Sequence, residues 1–145
     1  MNVFSAMEIA ASGLSAERTR MNVIASNLAN SRTTQTEEGG PYRRMDPVFR
    51  AVPLADRVPE AAESEHANSA FLVEVPEIRE DEGPANLMYD PTHPDANEDG
   101  FVEMPNINAV EEMVNMITAT RAYEAGVTVM QTLKGMARQA LSIGS

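Results

Sequence analysis

The sequence contains no cysteine and no tryptophan. The first absence excludes a disulfide framework and any thiolate metal site, while leaving the redox compartment open. Aromatic residues make up only 5% of the chain, so ring packing cannot dominate its core. Methionine reaches 10, and a Met-rich, Ala-rich chain suits helices that approach one another closely. His66 and His93 are the only histidines, too few for the usual zinc arrangements, and no metal ligand or cofactor is assigned. Basic residues are in the minority, 11 against 22 acidic, for a net charge of -11 and a pI near 4.5. That balance disfavours nucleic acid and anionic membrane surfaces as partners. No apolar run approaches the roughly 18 residues of a membrane span. No basic region precedes the short apolar stretch Met7–Leu14, so a cleaved signal peptide is not expected.

Proline is missing from both ends of the chain. All 9 lie between Pro41 and Pro105. Charge divides the 145 residues in the same way: residues 1–33 carry a net +1, residues 106–145 are neutral, and residues 34–105 hold 17 acidic and 5 basic groups. The chain therefore reads as an N-terminal segment 1–33, an acidic insert 34–105 and a C-terminal segment 106–145.

The first segment predicts a helix over roughly Val3–Ala29. Met7, Leu14, Met21 and Leu28 recur every seven residues, and Phe4, Ala11 and Ala25 hold the alternate heptad position, broken by Arg18. Ala10, Ser12, Gly13, Ser15 and Ala16 are small enough to admit a close neighbour. Asn30, in a left-handed conformation, is the expected terminator. The last segment mirrors the first. Asn108 and Glu111 have capping-box spacing, which starts a helix near Ala109 and carries it to about Ile143. Met113, Thr120, Val127 and Leu141 form one heptad row, interrupted by Lys134. Ala109, Met116, Tyr123, Met130 and Ala137 form the other. The expected fold is mainly α with a small β insert, its long terminal helices packed as an antiparallel coiled-coil-like pair. A helical hairpin burying only its own core would show the same two stripes. Gly13, Gly126 and Gly135 inside the helices each cost about 1 kcal/mol relative to Ala, so such helices gain most by packing on further copies or partners.

In the insert, Tyr42–Met45, Pro47–Val52, Phe71–Val75 and Ala85–Tyr89 are candidate strands, with Phe71, Val73 and Val75 alternating onto one face. Ala55–Ser69 is polar and acidic and reads as a loop. Asp95, Asn97, Asp99 and Gly100 imitate the start of a calcium loop, but its twelfth position is Asn106, after Pro105, where a bidentate carboxylate is needed. A tight turn before Phe101 is the better reading. His93 lies in the rigid turn DPTHPD and His66 in the polar loop. Glu80-Asp81-Glu82 reads as a solvated face. No nucleophile elbow and no phosphate-cradling glycine loop is present, and no catalytic residue or small-molecule substrate is assigned.

Three stretches make the reading specific. Ala11–Thr34 reads ASGLSAERTRMNVIASNLANSRTT, centred on Ser26-Asn27-Leu28-Ala29-Asn30. Tyr89–Asn108 reads YDPTHPDANEDGFVEMPNIN, and Glu111–Gly144 carries the final helix. Together they resemble the bacterial flagellar axial proteins, and among these the short proximal rod proteins. The resemblance implies a structural subunit that leaves the cell through the flagellar type III export apparatus and stacks helically into the basal-body rod in the periplasmic space. It implies contacts with its own copies, sister proximal rod proteins, a membrane-ring adaptor and the distal rod protein, and the transmission of torque. It also implies that Met7, Leu14, Met21, Asn27, Leu28, Asn30, Met113, Met116, Tyr123, Val127 and Met130 form the assembly interface. Two readings from other classes compete. A small glycan-cleaving enzyme needs two carboxylates enclosed about 5–10 Å apart within residues 74–103. A helical adaptor binds a partner helix without polymerising.

Overall fold

The computed structural model describes residues 3–57 and 70–143. In chain order it has α1 (Val3–Ala29), β1 (Met45–Pro53), α2 (Leu54–Arg57), β2 (Phe71–Glu80), β3 (Asn86–Tyr89), β4 (Phe101–Met104) and α3 (Ala109–Ile143). Both terminal helices have the bounds that their proline-free, capped sequences dictate. Asn108 caps α3 by accepting from the N–H groups of Val110 (3.1 Å) and Glu111 (3.4 Å). The end of α1 differs from expectation. No described non-glycine residue has a positive φ, so Asn30 is not left-handed. Its side-chain amide instead donates to the Ser26 carbonyl at 3.0 Å, and Ser31 and Thr33 close tight turns onto Leu28 and Asn30. A side chain that satisfies a terminal carbonyl removes the need for the left-handed cap.

The insert also departs from expectation. Tyr42–Arg44 is irregular, and the two short strands expected on either side of Asp46 are one, β1. β2 runs five residues past Val75 to Glu80. Phe71 and Val73 do share a face, but it is the exposed one; Leu72, between them, is buried. Leu54–Arg57 is a helical turn that takes in the first three residues of the expected loop Ala55–Ser69; the rest of that loop, with His66, lies outside the described residues. β1 pairs with β2. β3 pairs with β4 antiparallel, placing Tyr89 opposite Phe101 and Met88 opposite Val102. β4 was not anticipated. Val102 is fully buried, whereas every residue of β3 is exposed.

The chain divides into two compact units. The first comprises Met1–Thr19, Val48–Glu77 and Ala119–Ser145. Its core is Leu54, Ala70 and Leu72, with Ile9 of α1 packed against them. Ser12, one turn along, ties helix to strand: its hydroxyl donates to the Ile9 carbonyl (2.7 Å) and accepts from the Val73 N–H (3.1 Å). Arg50 and Arg57 both reach Glu74 across the β1–β2 side. On α3, Gly126 leaves room for Leu14; a methyl group on Gly126 would lie 2.8 Å from the Leu14 Cδ2.

The second unit comprises Arg20–Pro47 and Ile78–Thr118. The calcium-like stretch is a turn closed on itself. The Asn97 side-chain oxygen accepts from the N–H groups of Asp99 (3.0 Å) and Phe101 (2.9 Å), and Gly100 supplies a φ of 78°. Glycine is required at that φ. The Tyr89 and Phe101 rings stack edge to face at 5.2 Å. Thr34 donates to Asp95 at 2.7 Å, and Asn86 to the Pro105 carbonyl at 3.2 Å, so loop and hairpin are tied together by polar bonds.

Candidate functional site

The only buried polar side chains among the described residues are Asn27 and Glu112, each 1% exposed. Both belong to the second unit and they meet. Asn27 lies two residues before the end of α1, Glu112 in the first turn of α3, and irregular Tyr42–Arg44 supplies the third side. Burying an amide and a carboxylate is tolerable only when their hydrogen bonds are made. Here they are. The Asn27 Nδ2 donates to the Met45 carbonyl (2.8 Å) and to Glu112 Oε2 (3.2 Å). Its Oδ1 accepts from the Met45 N–H (2.9 Å) and the Tyr42 hydroxyl (3.3 Å). Glu112 Oε1 accepts from Arg44 Nε at 2.9 Å, and Arg44 also pairs with Asp46. Burial works against the charge on Arg44, but its bonds to Asp46 and Glu112 outweigh that and raise its pKa. The Arg44 backbone is held as well: its N–H donates to Asn106 Oδ1 (3.4 Å) and its carbonyl accepts from Asp81 N–H (2.7 Å).

This arrangement joins three segments without offering a reaction site. Its one enclosed carboxylate is paired. Between residues 74 and 103, no described acidic residue is buried, so the enclosed acid pair that glycan cleavage needs is not assembled there. Asp90 is held below the usual carboxylate range by bonds from the Thr92 hydroxyl and N–H, and Glu74 by its bond from Arg50; both are local turn or strand contacts. No group of three or more metal-ligating side chains clusters among the described residues.

The expected interface residues separate into classes. Met7, Leu14, Met21 and Leu28 are half-buried along α1, whereas Phe4, Ala11 and Ala25 of the alternate row are exposed. The deeper row of α1 is Ala16, Val23, Ile24 and Asn27. Asn27 is the centre of the polar cluster; Asn30 serves the helix end. On α3, Met116, Tyr123, Val127 and Met130 are half-buried and Met113 is 51% exposed. The observed inward rows are Glu112, Ala119, Gly126 and Leu133 with Met116, Tyr123, Met130 and Ala137. The second matches expectation. The first is displaced by one residue from the expected Met113, Thr120, Val127 row, because Glu112 and Gly126 give no apolar signal. Sequence reasoning missed Tyr42, Arg44 and Glu112. It also missed a second, outward row on the same helix: Val110, Val114 and Ile117 are 70%, 57% and 55% exposed. Their i, i+4, i+7 spacing was the available sign.

Comparison with known proteins covers nearly the whole chain. Residues 7–34 match the family model described as flagella basal body rod protein, and residues 98–143 the one described as flagellar basal body rod FlgEFG protein C-terminal. The chain is 42% identical to the flagellar basal-body rod protein FlgC of Borreliella burgdorferi, over 99% of this chain and 98% of that protein. It is 42% identical to the FlgC of Bacillus subtilis, over 99% of both. Its identity to the FlgC of Aquifex aeolicus is 45%, over 92% of this chain and 91% of that protein.

Proposed function

The chain belongs to the flagellar basal-body rod protein FlgC family, a family of structural rod subunits rather than enzymes, and from that premise we propose that it polymerises helically in the proximal rod through its terminal helices. The observation that carries this is the outward apolar row Val110, Val114 and Ile117 on α3, with Met113 beside it. A helix that is apolar on both its inward and outward faces is built to be covered twice, once by its own chain and once by another. Non-closing, head-to-tail contacts between such surfaces generate helical filaments.

Within the subunit the terminal helices form an antiparallel, coiled-coil-like pair. Two contacts support this: Leu14 meets Gly126, and Asn27 bonds to Glu112. Moving along α1 from Leu14 to Asn27 covers about 20 Å of helix, and moving back along α3 from Gly126 to Glu112 covers about the same. The partners are further copies of the chain and sister proximal rod proteins, with a membrane-ring adaptor at one end and the distal rod protein at the other. The subunit reaches the periplasmic space through the flagellar type III export apparatus and transmits torque once assembled. The interface includes Met7, Leu14, Met21, Leu28 and Met113. The half-buried Met116, Tyr123, Val127 and Met130 support it from within the helix pair.

Deleting the gene and imaging purified basal bodies by electron microscopy tests the reading. Membrane rings lacking a completed rod and hook, restored by the wild-type gene, are expected. Intact, rotating flagella would refute it.

A further inference from the structure

The rows through which α1 and α3 meet stay apolar from one heptad to the next. Leu14 sits over Gly126, and its row continues with Met7 and Met21 at seven-residue intervals. The Gly126 row continues with Ala119 and Leu133. Sliding one helix past the other by seven residues keeps these two rows apolar, replacing Leu by Met and Gly by Ala or Leu, although Leu14 then meets a larger residue than Gly126. The buried polar residues lie in one place. Asn27 and Glu112 are the buried polar side chains among the described residues, and both are bonded to the segment Tyr42–Met45.

We propose that the Asn27–Arg44–Glu112 cluster sets the register in which the two terminal helices pair. This rests on the antiparallel pairing proposed above. A seven-residue slip would part Glu112 from Asn27, and the segment Tyr42–Met45 could then serve only one of them, leaving the other buried without its partners. A single buried polar residue is known to select register in helical coils for this reason. The device is not confined to the helices. Asn27 satisfies both the N–H and the C=O of Met45, as a paired strand would, so its reference point is backbone and not another adjustable side chain. Arg44 is fixed in turn by Asn106 and Asp81. The register of the helix pair is therefore set by the folded insert.

The chain has no cysteine, so spin labels can be placed on the full-length protein at Ala11→Cys and Val129→Cys, both exposed sites of the first unit. Pulsed electron paramagnetic resonance then reads the distance between the helices. With the native cluster, one dominant distance is expected. In the triple variant Asn27→Leu, Arg44→Met, Glu112→Leu, a second population is expected, displaced by up to about 10 Å, the length of seven helical residues. Apolar replacement of a buried ion pair commonly preserves folding, so the thermal midpoint should not fall while the register becomes mixed. A second variant, Asn27→Asp, removes the amide donors and sets a like charge beside Glu112; it too should broaden the distribution. A single unchanged distance in both variants, or no dominant distance in the native protein, would overturn the proposal. The measurement uses the isolated chain, so its result stands apart from whether the deletion strain builds rods.

Discussion

Three glycines sit inside the two long helices, and the structure assigns them different consequences. A methyl group added at Gly13 or Gly135 would meet no atom within 4 Å; at Gly126 it would lie 2.8 Å from the Cδ2 and 3.2 Å from the Cγ of Leu14. Ala exceeds Gly in helix propensity by about 1 kcal/mol. Gly13→Ala and Gly135→Ala should therefore each stabilise the protein by about 0.5–1 kcal/mol, raising the thermal midpoint by about 2–4 °C. Gly126→Ala has the same intrinsic gain but must push Leu14 back by roughly 1 Å to restore ordinary carbon–carbon contact. Overpacking of that kind costs about 1–3 kcal/mol, so the net effect lies between zero and a loss of about 2 kcal/mol. The contrast becomes sharper in the background of Leu14→Ala. With the larger side chain gone, Gly126→Ala should recover its full gain, which gives a coupling of about 1–3 kcal/mol between the two positions. Far-UV circular dichroism melts and urea titrations of the four proteins in that cycle measure it. If Gly126→Ala stabilises as much as Gly135→Ala with Leu14 in place, then the Leu14–Gly126 approach does not set the helix separation.

Leu72→Ala removes the largest side chain facing the Leu54–Ala70 cluster and should cost about 2–4 kcal/mol, read as a lower urea midpoint with an unchanged slope. Glu74 and Asp90 are held below their usual range by Arg50 and by Thr92 respectively. Their contribution is thus fully present above the unfolded-state carboxyl pKa and is lost as pH falls through the lower folded value. Melts from pH 7 down to pH 2 should show an acid-side loss that Glu74→Gln makes shallower; an identical acid limb in that variant would count against the Arg50–Glu74 pair. Leu28→Asp should leave expression normal and abolish motility of the complemented deletion strain, since it puts a charge into the half-buried row of α1. Normal swimming would remove Leu28 from the interface.

Much of the helical framework could be read directly from residue order. Absence of proline and the Asn108 cap place the inner ends of both helices, at Ala29 and Ala109, because those signals are local. Phase was harder to read. α3 carries Val, Met, Ile and Ala almost all the way round, so several heptad frames look equally apolar, and the inward one contains Glu112 and Gly126. Which frame faces inward depends on what lies opposite: Leu14 for Gly126, Asn27 and Arg44 for Glu112. The insert shows the same limit. Phe101–Met104 is too short to announce a strand without β3 beside it, and β2 continues through Pro76 because pairing with β1 overrides a local breaker. Asn27 drew notice from its place in the Ser26–Asn30 stretch. Its partners did not, since Tyr42, Arg44 and Glu112 come together only in the folded chain.

The distribution of charge bears on which surfaces the proposed assembly uses. Between residues 78 and 103 there are eight carboxylates and one arginine. Two such segments brought face to face would place many like-charged pairs about 10 Å apart, each opposed by about 0.4 kcal/mol in water before screening. Summed over the pairs, that exceeds what the hairpin's exposed Leu87 and Tyr89 gain by partial burial, about 1–2 kcal/mol each. Contact through the helices reverses the balance. Val110, Val114 and Ile117 contribute a comparable apolar gain per residue. Charges farther apart than the Debye length, about 8 Å at physiological salt, feel little of one another. Apolar attraction therefore dominates along the helices and repulsion dominates across the inserts. On the proposed reading, the subunit associates by its terminal helices and keeps its acidic middle segments apart.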